Sequence, residues 1–372
     1  MQFSFSEEQA QFRDVVQRFV QDKSPITSVR ELMATELGYD PAVWTQLSQE
    51  LGLSGLTLPE EYGGGGFGAI ELGIVMEEFG RGLMCAPYFA SSVMAAHAIL
   101  LTASEPQKQA LLPSLASGES IATLAVAEAT GSWLEADVAV QAQHTQAGFT
   151  LQGKKHFVLD AHVANHLIVA AKSAGGVSLF CVDPASDAVD VKLVDSMDPT
   201  RKIAMVDLND APGQLLGREG ENHLVQILEN ACVALANEMI GGAQQLLASA
   251  VQYTKLRVQF GRTIGSFQAI KHRLADLLLD VELAKSAAYY AAQCLADEDV
   301  AADAKAEVAH LAKAQASEVY LAAAVQAIQL HGGIGFTWEN DTHLWFKRAK
   351  SSEVFLGSPQ RHREQMLQAQ GY

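Results

Sequence analysis

Arg257-Val258-Gln259-Phe260-Gly261-Arg262, followed two residues later by Gly265-Ser266-Phe267-Gln268-Ala269-Ile270-Lys271-His272, is the stretch on which the reading of the fold turns. It is a short, glycine-marked break between long helical patterns. Upstream, Leu224, Leu228, Ala231, Leu235 and Met239 mark one face of a helix that continues to about Arg257, with Gly241-Gly242 as a close-packing point. Downstream, residues 268–296 and 301–330 are rich in Ala, Leu, Gln and Lys, all strong helix formers. Three long helices are therefore predicted to form a bundle. Taken locally, the cations of the break would simply complement a helix C-terminus.

The third long helix runs into His331-Gly332-Gly333-Ile334-Gly335-Phe336. Glycines there either cap the helix or let the backbone approach a ligand closely, and the local sequence leaves both open. Working outward from the bundle, residues from about Ile121 to Gly220 form short apolar or alternating runs: Phe149-Thr150-Leu151, His166 to Ala171, Val177 to Val182 and Ile203 to Leu208. Gly148, Gly153, Gly175-Gly176, Asp183-Pro184 and Ala211-Pro212-Gly213 break them at spacings too short for crossover helices, which predicts an antiparallel barrel or sandwich. The first third is all helical. Ser6 and Gln9 make a capping box ahead of Phe12, Val15, Val16 and Phe19, and helical patterns recur at 41–53, 69–82, 87–101 and 105–116. The expected fold is α+β and mostly helical: an N-terminal helical domain (1–119), a central β-domain (120–221) and a C-terminal helical bundle (222–372).

Composition narrows the function. A formal net charge of −17 over 372 residues argues against nucleic acid as a partner, because polyanion binding needs clustered Lys and Arg. One or two placed arginines could still neutralise a pyrophosphate. Cys85, Cys181, Cys232 and Cys294 are far apart and make neither a zinc ribbon nor a disulfide framework, so a reducing cytoplasm is the expected home. The opening Met-Gln-Phe-Ser-Phe-Ser-Glu-Glu lacks the features of a signal peptide, and no apolar run approaches a membrane span, so a soluble protein without membrane association is expected.

Two motifs invite readings that their context does not support. Tyr62-Gly63-Gly64-Gly65-Gly66-Phe67-Gly68 lacks the Lys-Ser/Thr of a phosphate loop and does not join a parallel strand to its helix. Glu307-x-x-His310 would be half of a di-iron site, but no second such pair exists, and no metal site is expected.

Order and spacing of the quoted pieces resemble the acyl-CoA dehydrogenases over the whole chain. Leu58-Pro59-Glu60-Glu61-Tyr62-Gly63-Gly64, Leu112-Pro113, Gly118-Glu119 and Gln360-Arg361 add to the likeness. That resemblance implies the α,β-dehydrogenation of an acyl-CoA thioester, in which a glutamate takes the α proton while FAD accepts the β hydride. It also implies an electron-transfer flavoprotein as electron acceptor.

The chain departs from the family at the base. In one family arrangement the glutamate follows an aromatic residue near the C-terminus, where this chain reads Phe355-Leu356-Gly357-Ser358. In the other it precedes an Arg on the first bundle helix, where this chain has Ala231 and Cys232. Glu353, one helical turn from Leu356, is the nearest substitute. No catalytic residue is assigned to this chain. The β-domain half of the flavin site is altered too: Ala127 stands where a Thr is expected, and Phe157-Val158-Leu159 replaces Trp-x-Thr. The half that reaches a neighbouring subunit's FAD matches at Arg257, Phe260, Gln329, Gly332 and Gly333. This asymmetry implies a noncatalytic subunit that completes the FAD site of a second acyl-CoA dehydrogenase chain carrying the glutamate. It resembles the α2β2 dehydrogenases of bacterial steroid side-chain degradation, a likeness also carried by His331 to Trp338 and Arg348-Ala349-Lys350-Ser351-Ser352-Glu353. An active homotetrameric dehydrogenase or flavin monooxygenase relative with an unplaced base, and a dead scaffold subunit, are the alternatives.

Overall fold

The structure, a computed structural model, describes residues 5–146 and 148–369; residues 1–4, where the N-terminal segment begins, lie outside them. Among the described residues six α-helices come first: α1 (Glu7–Lys23), α2 (Ile26–Met33), α3 (Pro41–Thr45), α4 (Ala69–Arg81), α5 (Ala96–Thr102) and α6 (Glu105–Ala116). Seven strands follow, β1 (Ala122–Ala125), β2 (Gln141–Thr145), β3 (Gly148–Leu159), β4 (His166–Ser173), β5 (Gly176–Val182), β6 (Val189–Val194) and β7 (Ile203–Leu215). Helix α7 (Leu224–Leu256) leads through a two-strand hairpin, β8 (Val258–Gln259) and β9 (Arg262–Thr263), into α8 (Gln268–Ala296), α9 (Ala302–His331), α10 (Thr342–Val354) and α11 (Pro359–Ala369). Helices, then strands, then helices follow in the predicted order.

The chain forms two compact units that interleave across those changes of texture. One comprises Met1–Arg30, Ala69–Met84 and Cys232–Tyr372; the other comprises Glu31–Gly68 and Cys85–Ala231. In the first, α4 lies with α1 and packs against α7, and the reason for the second contact lies in glycines. Cβ atoms on Gly80 and Gly241 would lie 1.8 Å from the Glu238 carbonyl oxygen and 1.7 Å from that of Glu77, so the two backbones meet at distances only glycine permits. Gly242 is likewise pressed against the Tyr320 ring of α9. Around this seam runs a polar layer: the buried Glu77 carboxylate accepts from Arg13 and from the Tyr289 hydroxyl, and the buried Arg348 and Glu238 pair at 2.6 Å. The Ser6–Gln9 capping box at the start of α1 is present in both directions.

In the second unit, β4, β2, β3, β7 and β5 close a ring back onto β4, with β1 added at β4 and β6 at β7. The barrel is mixed and not wholly antiparallel, because β1 and β2 both run parallel to β4. The connection that parallel pairing needs is supplied between β1 and β4 by the β2–β3 hairpin instead of a helix. Leu151, Leu167, Val169, Phe180, Val206 and Leu208 fill its core.

The glycine-rich loop is structural. Gly64 N–H donates to Pro59 O, Gly65 N–H to Gly55 O, Gly66 N–H to Leu58 O and Phe67 N–H to Leu56 O, so its amides are spent within the turn and cannot cradle a phosphate. His310 faces His362, with 3.0 Å between their Nδ1 atoms, and no cluster of three metal-ligating side chains exists among the described residues. All four cysteines are free thiols. One helical run, Ala302–Phe336, is long and apolar enough to cross a membrane by length and composition, but half of its most apolar window is buried inside the fold.

Candidate functional site

Where α7 runs out, the chain reverses over two residues. Phe260 and Gly261, between β8 and β9, have φ of +54° and +76°. Two-residue hairpins favour such left-handed pairs because they match the strand twist. Glycine meets that demand freely, whereas a bulky residue there is strained by roughly 1 kcal/mol. The strained Phe260 ring is also 90% exposed. An exposed aromatic held in an unfavourable backbone conformation is a feature that folding alone does not explain.

Arg257, at the start of this hairpin, is exposed, and its backbone is fixed by Arg257 N–H to Tyr253 O and Ile264 N–H to Arg257 O. Its guanidinium makes no ion pair or hydrogen bond with any described residue. Five fixed donors on a free guanidinium suit a pyrophosphate.

The second segment is the end of α9. Gly332 caps it at φ +66°, its N–H donating to the Gln329 and Ile328 carbonyls. A Cβ on Gly332 or Gly333 would meet nothing within 4 Å, whereas one on Gly335 would lie 2.9 Å from Ile328 O. Gly335 is thus needed for packing and Gly332 for its φ. Gly333 is needed for neither, so its missing side chain leaves open surface at a backbone that a ligand can approach. Gln329 is exposed beside it, its side-chain amide without a partner among the described residues.

These two segments are joined through Tyr253, which sequence reasoning missed, and His331, which it quoted only as part of a motif. The Tyr253 ring stacks on His331 at 4.2 Å with an interplanar angle of 27°, and its hydroxyl donates to the His331 carbonyl at 3.3 Å. The His331 ring is fixed in turn by an Nδ1–H bond to Ala327 O at 2.7 Å. The available signal was an aromatic residue one helical turn before Arg257.

The positions named for a base hold no carboxylate. Ala231, Cys232 and Leu356 are all buried, and Leu356 sits at φ +63°. Glu353 is paired with Lys350 one turn earlier on α10. The turn after α10 is occupied by the fully buried Lys313, whose ammonium donates to Ser317 Oγ at 3.0 Å, Gly357 O at 3.1 Å and Glu353 O at 3.2 Å. Burial pushes this ammonium down to about 8. Burial, together with Lys313, His310 and Arg361, pushes the adjacent His362 down to about 3, so that imidazole is neutral at ordinary pH.

In the β-domain, Ala127 and Leu159 are buried, while Phe157 stands 45% exposed at φ +56° where the β3–β7 register slips. Beside them Lys155, fully buried, donates to Val126 O at 2.9 Å and to Glu128 Oε1 at 2.8 Å. Burial pushes its ammonium to about 8, against the opposing pull of Glu128. Burial also acts to raise the Glu128 carboxyl, but Lys155 and the Val140 and Ala139 N–H donors outweigh it and hold the group below its ordinary range.

Comparison with known proteins decides the family. The profile of the acyl-CoA dehydrogenase N-terminal domain matches residues 6–119, and that of the C-terminal domain matches residues 219–371. The chain belongs to the acyl-CoA dehydrogenase family. It is 36% identical to acyl-CoA dehydrogenase IpdE2 of Mycobacterium tuberculosis over 95% of this chain and 94% of that one. Among solved structures it resembles a variant of the Tcur3481-Tcur3483 steroid ACAD (29% identity, TM-score 0.88, 98% of each chain). It also resembles the ChsE4-ChsE5 complex from Mycobacterium tuberculosis (26% identity, TM-score 0.90, 100% of this chain and 99% of that one). Acyl-CoA dehydrogenases are oxidoreductases that act on CH–CH bonds, and their cofactor is FAD. The unengaged guanidinium of Arg257, the Gln329 amide, the open backbone at Gly333 and the exposed Phe260 ring are groups to which a phosphate-bearing cofactor can hydrogen-bond or stack.

Proposed function

We propose that this chain is the noncatalytic subunit of a heteromeric acyl-CoA dehydrogenase, completing with Arg257, Phe260, Gln329, Gly332 and Gly333 an FAD site whose base and isoalloxazine pocket belong to a partner chain. When bound, the flavin supplies the hydride acceptor for α,β-desaturation. The observation carrying the reading is a contrast within one chain. The segments around Phe260 and Gly333 keep unengaged polar groups, an open backbone and a strained exposed ring. Leucine, alanine and cysteine stand at the positions where the family resemblance places the base and its neighbour. A general base must reach the proton it takes, and none of these three side chains is a carboxylate. Glu353, paired with Lys350, lies one helical turn from Leu356, a displacement that spoils proton-transfer geometry.

Two copies of this chain with two copies of the partner form the assembly. Its substrate is a steroid side-chain CoA thioester and its electron acceptor an electron-transfer flavoprotein. The likeness to the steroid ACAD and to the ChsE4-ChsE5 complex supports this reading.

The test is the flavin-to-protein ratio and native mass of the chain purified alone and then coexpressed with a base-carrying dehydrogenase chain. Little flavin alone and one FAD per two chains in a mixed tetramer is the expected result. Full flavin loading and acyl-CoA desaturation by the chain alone would replace this reading with a homomeric enzyme. Unchanged flavin occupancy after Arg257→Ala in the mixed tetramer would leave only a scaffold role.

A further inference from the structure

The five residues assigned to the cofactor lie on two segments far apart in sequence, the hairpin after α7 and the end of α9. Something must hold them in register. Among the described residues a single hydrogen bond joins the last turn of α7 to the end of α9, that from the Tyr253 hydroxyl to the His331 carbonyl. The same two residues stack. Tyr253 is half-buried and lies one turn before Arg257, whose N–H bonds to its carbonyl. His331 directly precedes Gly332, where the backbone turns left-handed. The clasp thus sits next to the turn of each segment and makes no hydrogen bond or ring contact with the side chains of Arg257, Phe260 or Gln329.

We propose that Tyr253 is a positioning residue for the FAD half-site: through its stack and hydrogen bond on His331 it sets Arg257 and the Gly332–Gly333 backbone at the spacing the cofactor requires. This rests on the half-site reading above. Without the clasp, the hairpin and the glycine turn would sample separate positions, and ordering them would be charged to FAD binding. His331 supports the clasp from its other side, because its Nδ1–H bond to Ala327 fixes the ring plane on which Tyr253 lies.

The experiment uses the mixed complex with Tyr253→Phe, which removes the hydroxyl, Tyr253→Leu, which also removes the ring, and Arg257→Ala. FAD dissociation constants are measured by flavin fluorescence. Amide exchange over residues 257–264 and 330–334 is followed in flavin-free protein, alongside native mass and thermal midpoint. Expected are FAD binding weaker by about threefold for Tyr253→Phe and about tenfold for Tyr253→Leu, with faster exchange in both segments and an unchanged native mass. FAD affinity and exchange unaltered in both Tyr253 variants, while Arg257→Ala weakens binding, would overturn the positioning role and leave the half-site standing. If Arg257→Ala is also without effect, the half-site reading itself fails. If Tyr253→Leu alone loses assembly, the Tyr253→Phe affinity decides.

Discussion

A Cβ on Gly241 would lie 1.7 Å from the carbonyl oxygen of Glu77, so α4 and α7 pack backbone to backbone. Alanine at an ordinary helix-interior glycine gains about 1 kcal/mol of helix propensity. Here the methyl group has no room, and the obstacle is a carbonyl, which cannot rotate away as a side-chain end would. Gly241→Ala is expected to destabilise the protein by at least about 3 kcal/mol, the upper range for overpacking. Urea unfolding of the purified variant measures it; a midpoint equal to or above that of the parent would show that the helices separate without penalty.

Phe260 tests strain against function. At φ +54°, with Gly261 at +76°, it occupies a position where Asn followed by Gly is the preferred pair. Phe260→Asn should leave stability unchanged or raise it by up to about 1 kcal/mol, because asparagine tolerates the left-handed region. It should nevertheless lower flavin occupancy of the mixed complex. Gly333→Ala, which meets nothing within 4 Å, should behave in the same way, with stability within about 0.5 kcal/mol of the parent and weaker flavin retention. A variant that loses stability and flavin in parallel would point to a folding role instead.

Glu128 and Lys155 give a test in the β-domain. Glu128 Oε1 accepts from Lys155 Nζ and from the Ala139 and Val140 N–H groups at 2.8–3.0 Å. Glu128→Gln leaves the fully buried Lys155 without its partly exposed counter-charge, and the expected loss is about 1–3 kcal/mol. Lys155→Met added to it should recover part of that loss, since no lone charge then remains buried. Chemical denaturation of both singles and the double variant closes the cycle, and strict additivity would deny the coupling.

What could be read from sequence, and what could not, follows from periodicity and distance. α7, α8 and α9 fall within a residue or two of their expected limits, because each carries helix formers over many turns. Strand β2 (Gln-Ala-Gln-His-Thr) and the largely exposed edge strand β6 offer no clean apolar alternation and were not foreseen. Helix α11 has its apolar residues confined to its ends, and α10 mixes apolar and charged ones, so neither shows a clean helical stripe. Residues 46–50 and 89–95 wind as π-helix inside segments expected to be α-helical, a difference of one residue per turn that composition does not encode. Arg257, Phe260, Gln329, Gly332 and Gly333 can each be proposed from sequence one by one. Tyr253, which couples them, was not, because its role arises from a contact with His331 on another helix.

Lys313 supplies a pH dependence whose sign is unusual. Its ammonium lies among Ser317 Oγ, Glu353 O and Gly357 O, the two carbonyls flanking Leu356, which sits at a strained φ of +63°. Burial moves it from the ordinary 10.5 to about 8, with Cys232 and Glu353 pulling the other way and the neighbouring His362 neutral. Below pH 8 the folded and unfolded chains both hold this proton, and the charge is carried inside at a cost. Between pH 8 and 10.5 the unfolded chain holds it and the folded chain does not, so stability rises with pH, at most by about 1.4 kcal/mol per unit for one group. Lys155 acts with the same sign in the same window, so removing Lys313 lowers the slope without abolishing it. Tyr88 and Tyr289, whose hydroxyls burial pushes up, oppose the trend only above pH 10. Lys313→Met also deprives two carbonyls of their donor, which shifts stability by the same amount at every pH and leaves the slope untouched. Urea unfolding at pH 7.5, 8.5 and 9.5 should therefore show the parent gaining on the variant by about 1 kcal/mol or more across the series. Parallel profiles would mean that Lys313 keeps its proton throughout and that its three acceptors, not its burial, set its charge.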